Sequence, residues 1–356
     1  MAWLLSLPIW VLFWSIFLHK KSAIRISTKY YVIISSLALI FVMGLRNRYT
    51  GTMDTYQYTL VFEGAQKYTD LLKYLESVDV LEGSLIFSEA GFFVYTWTAA
   101  QILPSPQWFL LFTSVIIVSM TAKFIYENSE DPTISWITFI CLGSFTFVMN
   151  GMRQALAMSI CLLSYRYVKE KKPIRFLLTV LLAVLFHKSA IIFAIVYLLR
   201  NLKLNLKSFA LLSVGFVGFI AMANRLAVLY DSMTGEDYSE VGSFESGGII
   251  NVLIYLIAIV GMLIVYRRIK TSDDFLPLAL VIVGFSLYIS RFITAQIYER
   301  VSYYFAYFLM LAFPTIFKDL KSETRTLMRM AFMFAAIVLF AYRISKGAFA
   351  DFRLIF

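Results

Sequence analysis

Apolar runs of near-bilayer length, separated by short polar stretches, recur along the whole chain. They occupy residues 3–18, 30–45, 108–126, 133–148, 156–168, 176–199, 209–223, 249–266, 276–289, 301–317 and 328–342. A helix of about 20 apolar residues spans the hydrocarbon core of a bilayer, and there its backbone groups must bond within the helix. The pattern predicts an all-α polytopic integral membrane protein with about 11–13 transmembrane helices. It leaves no stretch for a separate soluble domain, so residues 1–356 read as one transmembrane domain.

Two polar stretches stand out, residues 46–88 and 225–248. The first carries Asp54, Glu63, Asp70, Glu76, Asp79 and Glu82, with Glu89 just beyond. Leu71, Leu72 and Leu75 recur there at helical spacing, which predicts an amphipathic interfacial helix. Residues 91–103 are apolar but short, and Pro104 and Pro106 end them sharply.

Basic residues settle the expected orientation. His19, Lys20, Lys21, Arg25 and Lys29 follow the first run; Lys169, Lys171, Lys172 and Arg175 follow the fifth. Arg267, Arg268 and Lys270 form a third group, and Lys318, Lys321, Arg325 and Arg329 a fourth. The positive-inside rule makes these loops cytoplasmic. The two acidic stretches then face outward, and the first run reads as a retained span, not a signal peptide. The parity closes only if residues 91–103 are re-entrant or interfacial. Residues 176–199 carry His187, Lys188 and Ser189 at their centre, and basic residues at both ends favour a hairpin of two short helices with His187 outside.

Composition narrows the function. With 60% hydrophobic residues and a net charge of +10 carried in short loops, the positive charge meets anionic lipid rather than nucleic acid. Cys141 and Cys161 lie inside apolar runs and read as small buried hydrophobes. There is no HExxH, no Cys/His cluster and no paired Asp with metal spacing, so neither metal nor cofactor is expected.

Four groups carry candidate chemistry. One is the stretch from Arg46 to Tyr58; another is Asn150, Gly151, Met152, Arg153 and Gln154. The third is His187 with its neighbours, and the fourth is Arg291 with Glu299 and Arg300. Each has an ordinary alternative: interface anchoring, a hairpin turn, a satisfied core histidine, a structural ion pair. Taken together, Arg46, Arg48, Arg153, His187, Arg291 and Arg300 collect on the outer face. Arginine meets phosphate bidentately and stays charged, so the set fits a diphosphate delivered from the membrane.

These residues also carry a resemblance. Arg46, Gly51, Thr52, Asp54 and Tyr58 resemble the Arg…Gly-Thr-Asp-x-x-x-Tyr motif of the EpsG family of Wzy-like polysaccharide polymerases, with Met53 inserted before Asp54. Glu89-Ala90-Gly91-Phe92 resembles the family's acidic-Pro-Gly-aromatic element, with Ala90 where Pro is usual. Met152-Arg153-Gln154-x-x-Ala157, Phe186-His187-x-Ser189-Ala190 and Arg300-x-x-x-Tyr304-Phe305 resemble three further elements, in family order.

The resemblance implies a GT-C-related fold in the bacterial cytoplasmic membrane. It implies a polymerase acting on undecaprenyl-diphosphate-linked oligosaccharides, with a chain-length regulator and a flippase as partners and the active site facing the periplasm or exterior. On this reading Arg153 and Arg300, helped by Arg46 or Arg291, bind the diphosphate. The base is one of His187, Asp54 and Glu89. Tyr56, Tyr58, Tyr304 and Gln154 face sugar. Rival readings are a transporter or flippase for the same glycolipids, a membrane O-acyltransferase, and an O-antigen ligase-like enzyme. A transporter should show repeated halves, which the sequence lacks. An acyltransferase needs its histidine reachable from the cytoplasm.

Overall fold

A computed structural model of the chain describes residues 1–18, 26–51, 53–82, 89–203, 205–234, 246–266, 272–292 and 297–355. The basic groups around 19–25 and 267–270 and the acidic residues 235–245 lie outside the described residues. Among the described residues seventeen α-helices follow one another. They are α1 (Ala2–Ser15), α2 (Thr28–Gly44), α3 (Met53–Ala65), α4 (Leu71–Glu82), α5 (Ala90–Ile102), α6 (Pro106–Asn128), α7 (Pro132–Cys141), α8 (Ser144–Asn150) and α9 (Met152–Lys169). After these come α10 (Pro173–Val184), α11 (Ile195–Leu199), α12 (Leu206–Thr234), α13 (Ser246–Tyr266), α14 (Ser272–Ser290), α15 (Ile297–Ala306), α16 (Leu309–Lys318) and α17 (Ser322–Lys346). The described residues form no strand, only an isolated bridge between Arg46 and Leu354.

Local sequence explains several boundaries. Pro106, Pro132 and Pro173 open α6, α7 and α10, where the absent N–H costs nothing. Asp131 caps α7, accepting from Thr133 N at 3.1 Å and Ile134 N at 3.3 Å. The apolar run 133–148 is not one helix. It breaks at Gly143, whose φ of +105° suits glycine, and α7 and α8 meet at a 54° bend. The run 301–317 breaks similarly, with 44° between α15 and α16.

Among the described residues three helices are long and apolar enough to cross a membrane: α6, α13 and α17. Counting each bent pair as one span makes five, and six more apolar helices are 10–17 residues long. The expected span count therefore holds only if broken and short helices serve as spans. The hairpin reading of 176–199 stands. The chain turns at Leu185–His187, and a 3-10 segment, Lys188–Ala194, returns along α10 into α11. The amphipathic helix is α4. It turns Tyr74 and Val78 inward, packs Leu71 and Leu75 beside them, and leaves Leu72 exposed.

Polar contacts tie the helix ends into two groups. At one end Lys318 meets Glu130 at 2.8 Å, Arg329 meets Asp131 at 2.7 Å, and Lys169 meets Asn128 at 3.1 Å. At the other, the Met1 amino group donates to Phe352 O at 2.9 Å and Asn47 N donates to Arg353 O at 2.9 Å. Helix α5 begins and ends at this second end. Gly91 N donates to Leu185 O at 2.9 Å, and Gln107, just past α5, donates to Gly44 O at 2.6 Å. The short apolar segment thus enters and leaves on one side.

Candidate functional site

Three loops converge at the second end, each for a local reason. Glu89 precedes α5 with a left-handed φ of 60°, a conformation that costs a non-glycine residue free energy and marks a constrained position. Gly91 then docks against the α10 turn. A Cβ there would lie 2.7 Å from Leu185 Cβ and 2.8 Å from its carbonyl oxygen, so only glycine permits the approach. Arg153 stands in the first turn of α9, at the positive end of that helix. His187 ends the α10 turn.

The carboxylate of Glu89 joins the other two. One oxygen lies 3.0 Å from His187 Nδ1 and accepts from Lys188 N at 3.0 Å; the other lies 3.3 Å from Arg153. Glu89 is only 9% exposed and Arg153 33%. Burial pushes the Glu89 carboxyl up, but His187, Arg153 and the Lys188 N–H outweigh it and hold it below the usual glutamate range.

This contact also selects a tautomer. Were Nδ1 an acceptor, its lone pair would face a carboxylate oxygen at 3.0 Å. Ser189 N lies 3.4 Å from the same nitrogen, at the limit for a hydrogen bond. Nδ1 therefore carries the proton and donates to Glu89, which leaves Nε2 with a free lone pair in the neutral ring. Ser189 Oγ, 3.2 Å from Nδ1, donates to Tyr304 OH at 3.1 Å.

The remaining expected residues fall into three sets. Near Arg153 stand Phe92, with the guanidinium carbon 5.9 Å from its ring centre, and Tyr58, which packs edge-on against Phe92 at 5.6 Å. Tyr58 also feels the charges of Arg153 and of Asp54, one turn earlier on α3. Gln154 donates to the carbonyl of Arg300 at 2.6 Å. Arg300 is exposed and lies one turn from Tyr304 on α15, hence on the same helix face.

Tyr56 stands apart from this centre, stacked on exposed Tyr49 at 5.2 Å with Arg48 lying 5.3 Å from each ring. Arg291 belongs to another group, paired with Glu299 at 2.5 Å. Arg46 is spent on the fold. It has no exposed surface, and its guanidinium donates to the carbonyls of Met43 and Met149, the latter at 3.0 Å. Burial lowers its pKa to about 10, so it stays charged at neutral pH.

Sequence reasoning missed Arg343 in the last turn of α17. It donates to Asn251 Oδ1 of α13 at 2.5 Å. Its signal was the same as that of Arg153, a lone charge at the end of an apolar run. Among the described residues no group of three or more His, Cys, Asp or Glu side chains gathers to hold a metal ion.

The geometry provides a histidine with an oriented free nitrogen beside a cationic surface, which suits proton removal next to a departing anion. A family model, that of the EpsG family, matches residues 29–353. No curated protein and no solved structure matches the chain.

Proposed function

The chain belongs to the EpsG family, a family of Wzy-like polysaccharide polymerases, and from that premise we propose that it transfers a growing glycan from undecaprenyl diphosphate to the non-reducing end of an incoming lipid-linked repeat unit. The observation that carries the reading is the Glu89 carboxylate held between His187 and Arg153.

In the proposed step the acceptor hydroxyl gives its proton to His187 Nε2 as its oxygen attacks the anomeric carbon of the donor glycan. A new carbon–oxygen bond forms, and the bond to the diphosphate breaks with its electron pair on the departing oxygen. Arg153 and Arg300 hold that diphosphate, and the first turn of α9 adds positive potential. Glu89 keeps the imidazole in the correct tautomer and stabilises the imidazolium, and Lys188 N–H and Ser189 fix the two partners. In the absence of donor Glu89 neutralises Arg153, so diphosphate binding takes over a guanidinium already in place. The arginines supply the charge neutralisation, and no metal ion has a step in this scheme. Tyr58, Phe92 and Tyr304 border the sugars.

The proposed setting is the bacterial cytoplasmic membrane, with this centre on the extracytoplasmic side. The opposite end supports that orientation, because Lys169, Lys171, Lys172, Arg175, Lys318, Lys321, Arg325 and Arg329 all cluster there. The test is reconstitution in liposomes with a lipid-diphosphate-linked repeat unit in the presence of EDTA. The expected product is a ladder of increasing length. Glycolipid carried across the membrane without elongation would overturn the reading in favour of transport.

A further inference from the structure

A second charged network lies across α15 from His187. Arg343 of α17 donates to Asn251 Oδ1 of α13 at 2.5 Å, and Asn251 Nδ2 donates to Tyr288 OH of α14 at 3.0 Å. Arg291, just past α14, approaches the same hydroxyl at 3.3 Å and pairs with Glu299 of α15 at 2.5 Å. Four helices thus contribute to one continuous chain of contacts, and the step described above uses none of it.

The charges in it do not balance. Among the described residues the network holds two guanidinium groups and one carboxylate. Glu299 is shared electrostatically with Arg291, Arg300 and Arg343, and Arg291 Nε, buried, has no partner among the described residues. Excess positive charge out of bulk water is costly unless an anion completes it.

The surroundings identify the kind of anion. Beside Asn251, α13 exposes Ile249, Leu253 and Ile257. Approaching Arg343, α17 exposes Phe334, Val338 and Tyr342. Arg343 and Asn251 therefore join two helices whose outer faces are apolar and suit lipid, so an anion carried on a lipid reaches the network sideways from the bilayer. Position on α15 adds a geometric reason. Arg300 and Tyr304 face the His187 centre, whereas Glu299, one residue earlier, is rotated about 100° around the helix and faces the network.

We infer that Arg291 and Arg343 form a second lipid-diphosphate site, which holds the carrier of the incoming repeat unit while its distal sugar reaches the His187 centre. The inference rests on the polymerase reading, in which donor and acceptor both arrive on lipid diphosphates. It assigns the donor to Arg153 and Arg300 and the acceptor to Arg291 and Arg343. No bond is made or broken at the second site.

The test counts bound lipids by native mass spectrometry on the full chain, with undecaprenyl diphosphate as the probe. Wild type is expected to bind two molecules. Arg343→Gln keeps an amide that can still donate to Asn251 but removes the charge, and is expected to bind one. Arg291→Gln approaches the network from α14 and is expected to do the same. Arg153→Ala is expected to bind one, and Arg153→Ala with Arg343→Gln none. Wild type binding a single molecule, or Arg343→Gln and Arg291→Gln both binding two, overturns the second site and leaves the polymerase reading standing. Wild type binding none sinks the polymerase reading itself. Displacement of the second molecule by phosphatidylglycerol at equal concentration would make the site a general phospholipid contact and overturn its assignment to substrate.

Discussion

Glu89 and His187 meet carboxylate oxygen to Nδ1 at 3.0 Å, and the other oxygen of the same carboxylate lies 3.3 Å from Arg153. One acidic side chain thus sets the tautomer of the proposed base and neutralises the arginine proposed to bind the diphosphate.

The first prediction concerns the proton acceptor. His187→Ala should cost about 10²–10⁴-fold in polymerisation rate, the usual contribution of a positioned base. Asp54→Asn should cost far less, because Asp54 acts on Tyr58 and not on the ring. Initial rates of the reconstituted variants decide it. Equal losses in both would remove His187 from its assigned role.

The second separates ligand-binding from structural arginines. Arg153→Ala and Arg300→Ala should abolish polymer while the protein accumulates at wild-type levels. Arg46→Ala should lower the amount of folded protein, because the buried carbonyl of Met43 loses its guanidinium donor and that of Met149 keeps only the Thr55 hydroxyl, at about 1–3 kcal/mol for a buried group left unpaired. Quantifying folded protein beside polymer distinguishes the two patterns, and a stable, inactive Arg46→Ala protein would contradict this division.

A third prediction follows from Gly91. In Gly91→Ala the new Cβ would lie 2.7 Å from Leu185 Cβ. The loop must retreat, and Glu89 goes with it. The expected outcome is a rate at least about tenfold lower, the cost of a misplaced catalytic group, with thermal stability changed by only about 1–3 kcal/mol. Full activity would show that Glu89 need not touch His187.

The fourth prediction reads acid sensitivity. The folded Glu89 pKa lies below the ordinary 4.5, so the unfolded chain takes up its proton first as pH falls. The stabilisation is present above about pH 4.5 and is lost as pH drops through the lowered folded value. Wild type should therefore be more heat-stable than Glu89→Gln at pH 7, and the difference should shrink below pH 4.5. A gap that widens on acidification would reverse the sign.

Much of this protein is legible along the chain. Spans are visible because a bilayer demands long apolar windows whoever their neighbours are. Arg153 and His187 are conspicuous for the same reason, since each interrupts or borders such a window. The hairpin at His187 follows from basic residues at both of its ends, and the motifs around Arg46, Glu89, Arg153, His187 and Arg300 point to the family whose model covers residues 29–353.

Partnership is decided elsewhere. Arg46 and Arg48 stand two positions apart, yet one is wholly enclosed on main-chain carbonyls and the other lies over two tyrosine rings. Nothing in their spacing separates them, because the first meets the Met149 carbonyl of α8 and the backbone of Leu354, both far away along the chain. Lys188 reaches Glu89 across 99 positions, and Arg343 reaches Asn251 across 92. Which segments are apolar, where charge interrupts them and which family they make can all be read along the chain. Which charges meet is settled by folding alone, because that depends on how each helix is rotated and where Gly91 and Gly143 let the backbone approach or bend.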